Sequence, residues 1–146
     1  MSVEVHSVKN ESETALIAKN IASEIKGGGL ITLDGDLGAG KTFFTGALSE
    51  ALGLERKSVS SPTFVIMKKY SGIVDVYHWD FYRICSVDEL YVADFFEYLS
   101  ETGSITIVEW ASMFKECWEN HLKRIEIKIE FGEKEDERRI EIKRNF

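Results

Sequence analysis

The chain is short of the residues that would place it in several familiar classes. It has two cysteines in 146 residues, Cys85 and Cys117. They stand far apart, with no C-x-x-C pair and no histidine at ligand spacing, which argues against a disulfide framework or a zinc ribbon and leaves core or surface thiols. Basic residues are outnumbered, 18 Lys and Arg against 25 Asp and Glu, giving a net charge of -7 and a pI near 5.0. Gripping nucleic acid unaided needs clustered cations on the phosphates, so any nucleic-acid role must pass through a partner. No apolar run approaches the roughly 20 residues of a membrane span, and the N-terminal MSVEVHSVKNESET lacks the charged-then-apolar pattern of an export signal. The composition predicts a soluble, cytosolic protein with no membrane partner. There is no internal repeat, low-complexity tract or linker, so residues 1–146 are expected to form a single domain that buries about two-thirds of its unfolded surface. The only proline, Pro62, follows a serine pair and marks a loop.

What the sequence does have is concentrated between Leu30 and Gly53. Leu30, Ile31 and Leu33 read as a buried parallel strand stopped at Asp34 and Gly35, and Phe43, Phe44, Ala47, Leu48, Ala51 and Leu52 recur at helical spacing before Gly53. Between them, Gly35-Asp36-Leu37-Gly38-Ala39-Gly40-Lys41-Thr42 satisfies every fixed position of G-x-x-x-x-G-K-[ST]. Glycines let the backbone adopt positive φ and bring its amides up to phosphate oxygens, and the helix start adds about half a positive charge. In that pattern Lys41 reaches the β- and γ-phosphates and the Thr42 hydroxyl ligates Mg²⁺.

The remaining chain supplies an α/β frame. Val3 and Val5 alternate with polar residues in a first strand, and Asn10 or Ser12 can cap a helix whose stripe is Ile17, Ile21 and Ile25. Residues 64–70 and 73–81 read as two strands joined at Ser71-Gly72, a hairpin inserted into an otherwise parallel sheet. Ser86 and Glu89 form a capping box before a short helix, and an aromatic stretch, Asp94 to Tyr98, follows. Ser104 to Glu109 is an apolar strand ending in a carboxylate, the shape of a Walker-B element with Glu for Asp. Residues 111–120 are expected to be helical, and residues 122–131 and 138–143 form an antiparallel hairpin around an acidic turn, read as structural.

Phosphoryl transfer to water needs a phosphate cradle, a metal, a positioned water and neutralisation of γ-phosphate charge. The residues predicted to line the nucleotide are Asp36, Leu37, Gly38, Ala39, Gly40, Lys41, Thr42, Phe43, Thr63 and Trp110. Thr42 and Glu109 are the expected metal ligands, Glu109 directly or through water, with a solvated strand end as the alternative for Glu109. Asp80, alternating away from Tyr77, Trp79 and Phe81 and placed at a strand end, could orient or deprotonate the attacking water, support the metal or cap the strand. Lys41, Asp80 and Glu109 are thus the expected catalytic set. Thr63 in the proline loop is a γ-phosphate sensor or an ordinary turn residue. Trp110 covers the nucleotide, docks a partner or packs in the core. Arg83 neutralises charge or forms a surface ion pair, and His78 reads as a half-buried strand residue more readily than a base.

The four blocks Gly35 to Thr42, Ser61-Pro-Thr-Phe64, His78-x-Asp80-x-Tyr82-Arg83 and Glu109-Trp110 resemble, in order and spacing, the TsaE (YjeE) family of bacterial ATPases, over essentially the whole chain. One departure is the absence of a proline after Glu109-Trp110 that often punctuates that segment in the family. The resemblance implies a P-loop NTPase fold with a mainly parallel central sheet, an inserted hairpin and antiparallel C-terminal strands. It also implies Mg-ATP hydrolysis in the formation of threonylcarbamoyladenosine at position 37 of tRNAs that read ANN codons, together with TsaB and TsaD, nucleotide turnover resetting the transferase complex and tRNA being met only through that complex. Two other readings stay open: a small P-loop kinase acting on a small molecule, and a nucleotide-gated binding module with negligible turnover alone. No N-K-x-D base-reading motif is present, which favours adenine over guanine.

Overall fold

The computed structural model describes residues 2–36, 38–54 and 66–146. The chain opens on β1 (Ser2–Val8) and enters α1 (Glu11–Ile25) at Asn10, whose side chain accepts from the Glu13 amide while the Glu13 carboxylate accepts from the Lys9 amide at 2.7 Å. These bonds satisfy donors that a helix start leaves open, and they make Asn10, not Ser12, the cap. Of the predicted stripe, Ile21 and Ile25 are buried together with Ala18 and Ala22, and Ile17 is half-buried. Gly28, at φ 108°, then turns the chain into β2 (Gly29–Asp34); a Cβ there would lie 3.0 Å from the Gly103 backbone. α2 (Lys41–Ala51), β3 (Met67–Tyr70), β4 (Val76–Asp80), α3 (Val87–Val92), α4 (Phe95–Ser100), β5 (Ile105–Glu109), β6 (Arg124–Phe131) and β7 (Arg138–Arg144) follow.

Among the described residues, the strands join one seven-stranded sheet in the order β1-β7-β6-β2-β5-β4-β3. The middle four, β6, β2, β5 and β4, run parallel; β3 and β7 flank them antiparallel, and β1 pairs antiparallel to β7 at the far edge. This is the α/β architecture expected, with one refinement. The hairpin enters the sheet through its second arm: β4 lies parallel beside β5, and only β3 is an antiparallel addition.

Two local expectations are corrected. The second hairpin strand starts at Val76, not Ile73, because the Tyr70–Val76 register leaves residues 71–75 as a loop. Ile73 is fully exposed there, and the Asp75 carbonyl accepts from the Ile105 amide at 2.9 Å. The segment after Trp110 is a 3₁₀ stretch, Ala111–Cys117, broken at Phe114 (φ -136°, ψ 54°). The Trp118 indole donates to the Ala111 carbonyl at 2.8 Å, so side-chain packing sets its course in place of a regular helical ladder. The first arm of the hairpin is described only from Ile66 onward, so Phe64 lies outside the described residues.

Strand alternation sorts the core onto two faces. Ile31, Leu33, Ile105 and Ile107 pack with Ile21 and Ile25 of α1 and Phe44 and Leu48 of α2. Leu30, Tyr77, Trp79, Phe81 and Val108 pack with Leu90 of α3, Phe95 of α4 and Trp118. A parallel sheet covered on both sides reads as near-continuous apolar strands, which is why β2 and β5 were legible. Trp79 and Phe95 meet edge to face at 5.0 Å, fixing α4 over β4. Among the described residues no helix is long and apolar enough to cross a membrane.

Tyr77 ties β4 to the end of α4 by donating to the Glu101 carboxylate at 3.0 Å. Burial first, and then that carboxylate, push the Tyr77 phenol up to about 12. Because the folded value lies above the ordinary one, the stability this contributes is complete below about pH 10 and is lost as pH rises through about 12. The stability difference between wild type and Tyr77→Phe, measured by urea unfolding, should therefore shrink between pH 9 and pH 12.

Candidate functional site

The functional residues gather where the parallel strands end. β2 finishes at Asp34, and register places Leu33 beside Glu109 of β5 and Glu109 beside Asp80 of β4. Open α/β sheets bind ligands at this carboxyl edge. The loop from Gly35 to Gly40 leads from β2 into α2, with Gly35 at φ 156°, Gly38 at 79° and Gly40 at 113°. The Ala39 amide donates to the Asp36 carbonyl at 3.0 Å, closing the loop as a tight turn. Gly40 occupies the helix-cap position of α2 in left-handed conformation and offers no side chain to cap it. Thr42, in the first turn, is exposed, and Phe43 is half-buried. Leu37 and Thr63 lie outside the described residues.

Lys41 is 5% exposed. Its ammonium donates to the carbonyls of Gly35 at 2.6 Å and Asp36 at 2.9 Å, and it sits 4.4 Å from the centre of the Trp110 ring. Burial pushes the lysine below its ordinary range, and the nearby carboxylates of Glu109, Asp80, Asp34 and Asp36 only partly offset this. The sequence-predicted residues Lys41, Asp36, Asp80, Glu109 and Trp110 thus converge on one point.

Trp110 is held in left-handed backbone (φ 57°), a conformation that costs a bulky residue roughly 1–3 kcal/mol. Its amide donates to the Leu33 carbonyl at 2.9 Å, and its ring meets that of Tyr82 at 4.8 Å, tilted by 42°. The Asp34 carboxylate accepts from the Ser112 amide at 3.0 Å and hydroxyl at 2.8 Å, pinning the chain just past Trp110. Asp80 accepts from the Tyr82 amide at 2.9 Å, which sets the turn after β4. Arg83 is exposed.

The sequence reading underrated His78. It is fully buried, not half-buried, and its Nε2 lies 2.5 Å from the carboxylate of Glu109, itself 2% exposed. With the carboxylate accepting, Nε2 is the donor, and Nδ1 is left to accept from the Tyr70 hydroxyl at 3.1 Å. A line of hydrogen bonds thus crosses β3, β4 and β5 and fixes the carboxylate at the strand end. The signal was present: alternation put His78 on the same face of β4 as Asp80. Its partner was not, since Glu109 lies 31 positions away.

Substituting His78→Leu strands a buried carboxylate and should cost about 1–3 kcal/mol or more, whereas Tyr70→Phe should cost about 0.5–1.5 kcal/mol. Chemical denaturation of the two variants checks the order.

The architecture and motifs have relatives of known family. The family profile described as "Threonylcarbamoyl adenosine biosynthesis protein TsaE" matches residues 8–140. Proteins named "tRNA threonylcarbamoyladenosine biosynthesis protein TsaE" are similar: that of Bacillus subtilis is 45% identical over 108 residues, 73% of this chain and 66% of its own length. That of Rickettsia conorii is 37% identical over 112 residues, 76% of this chain and 63% of its own, so the chain spans only part of these two relatives. That of Rickettsia typhi is 34% identical over 126 residues, 86% of each chain. The crystal structure of Bacillus subtilis YdiB is similar at a TM-score of 0.73 and 34% identity, covering 97% of this chain and 84% of that one. With the motif in its expected strand-loop-helix setting and the family profile matching residues 8–140, this protein belongs to the TsaE family, and its fold is of the P-loop NTPase type.

Proposed function

We propose that the chain binds and hydrolyses Mg-ATP in support of tRNA threonylcarbamoyladenosine formation at position 37, acting with TsaB and TsaD and meeting tRNA only through them. The observation that carries the reading is the convergence of a glycine-built loop and helix start, Lys41, and the carboxylates Asp80 and Glu109 at one strand edge. An acidic chain of net charge -7 suits a component that leaves tRNA contact to its partners.

The donor set fits magnesium, which favours hard oxygen ligands and takes one or two from protein, the rest from phosphate and water. Thr42 is exposed at the first turn of α2, and Glu109 is fixed at the end of β5. These two residues would hold the ion, which when bound would neutralise charge on the β- and γ-phosphates. Lys41 exchanges the Gly35 and Asp36 carbonyls for phosphate oxygens, and the amides from Gly38 to Thr42 close around the anion. Asp80, half-buried and beside Glu109, orients the attacking water or accepts its proton. Trp110, already over Lys41, covers the site. Thr63 keeps its role as γ-phosphate sensor in this proposal.

In the isolated protein, Lys41→Ala abolishes ATP binding by calorimetry, while Asp80→Ala retains affinity and loses phosphate release; unchanged turnover in the Asp80 variant removes it from the mechanism. A hundredfold excess of nucleotide over Kd should stabilise wild type by about 2.7 kcal/mol. With purified TsaB and TsaD, phosphate release should rise only when both are present and vanish with Lys41→Ala, and appearance of a phosphorylated small molecule instead of free phosphate would favour a kinase.

A further inference from the structure

The β6–β7 hairpin, read from sequence as structural, reaches the phosphate loop. The Ile129 carbonyl near the end of β6 occupies the space that a Cβ at Gly35 would need, and a Cβ at Gly38 would lie 3.8 Å from the Phe131 ring. Arg138, opposite Phe131 in register, lays its guanidinium 4.7 Å from the centre of that ring. Its Nη1 donates to the carbonyls of Glu135 at 2.6 Å and Glu137 at 2.8 Å. Its Nε donates to the Ala39 carbonyl at 3.1 Å, across 99 positions of sequence.

That last bond bears on how the loop presents its amides. In a trans peptide the carbonyl and the following N–H point in opposite directions, and the structure has no cis peptides among the described residues. Drawing the Ala39 carbonyl toward the hairpin therefore turns the Gly40 amide away from it. Ala39 is 1% exposed with the arginine in place, so its carbonyl has little access to water while Arg138 holds it. Gly40 is the left-handed residue with no side chain to hold its own orientation.

We propose that Arg138 is a positioning residue for the phosphate site: it touches no phosphate, but through the Ala39 carbonyl it sets the direction of the Gly40 amide. The inference rests on the nucleotide-binding reading above. Arginine suits the task because its planar fork spans turn and loop carbonyls at once, which a lysine ammonium on a flexible stem does not.

The test compares wild type, Arg138→Lys and Arg138→Gln in the full chain. Affinity is measured for a fluorescent N-methylanthraniloyl ADP in EDTA, so that no metal enters, alongside KM and kcat for Mg-ATP and the thermal midpoint without nucleotide. Arg138→Gln should weaken ADP binding about tenfold, the scale of one lost buried hydrogen bond. KM should rise in parallel with kcat little changed, because ground and transition states use the same amide. Arg138→Lys should lie between. A Kd for Arg138→Gln within about twofold of wild type, even with a lowered melting point, assigns Arg138 to hairpin stability alone and overturns the proposal. If Arg138→Gln does not fold, Arg138→Lys decides: a threefold or larger rise in Kd supports positioning, and an unchanged Kd overturns it. Wild type that binds neither ADP in EDTA nor Mg-ATP overturns the nucleotide reading itself and this inference with it.

Discussion

A phosphate cradle built from backbone amides cannot be aimed by its own side chains. Gly35, Gly38 and Gly40 supply the positive φ angles that the loop needs, and the same freedom leaves the loop without internal direction. Its shape therefore depends on what surrounds it. β2 anchors one end and α2 the other, the Ile129 carbonyl and the Phe131 ring stand behind it, and Arg138 holds the Ala39 peptide. Parallel pairing of β2 with both β5 and β6 brings all of these to one edge.

The same pairing sets the electrostatics. One register step aligns Leu33, Glu109 and Asp80 across three strands, so carboxylates face Lys41 from β4 and β5 as well as from its own loop. Burial opposes the lysine's charge, and those carboxylates together with the Gly35 and Asp36 carbonyls and the Trp110 ring offset part of that penalty. The arrangement keeps a cation poised in a nearly dry site, where its attraction for an anion is stronger than at an open surface.

Rigidity is supplied from below by side chains that do not face the loop. His78 and Tyr70 fix the Glu109 carboxylate from the core, and the Asp34–Ser112 bonds fix the chain just after Trp110, whose left-handed backbone depends on such support. Trp79 of β4 and Phe81 just after it pack edge to face on Phe95 of α4 and hold the end of β4 in place. Precision at the strand edge is thus inherited from close packing on both sheet faces.

The sequence by itself determined most of the elements and the loop that joins β2 to α2, because both are written in short-range signals. Strand and helix periodicity, the capping residues and the eight-residue P-loop each need only neighbours along the chain. Lys41 stood out as a candidate from the motif at the start of α2, and Asp80 and Glu109 from their places at strand ends. What depended on distant partners was not. Whether β4 belonged to the parallel core, where the strand after Ile73 began, and how the chain ran past Trp110 were decided by pairing with β5 and by packing of Trp118. The roles of His78 and Arg138 rest on contacts across 31 and 99 positions, which no local pattern encodes. A hydrogen bond of that range exists only once the sheet order has closed the distance.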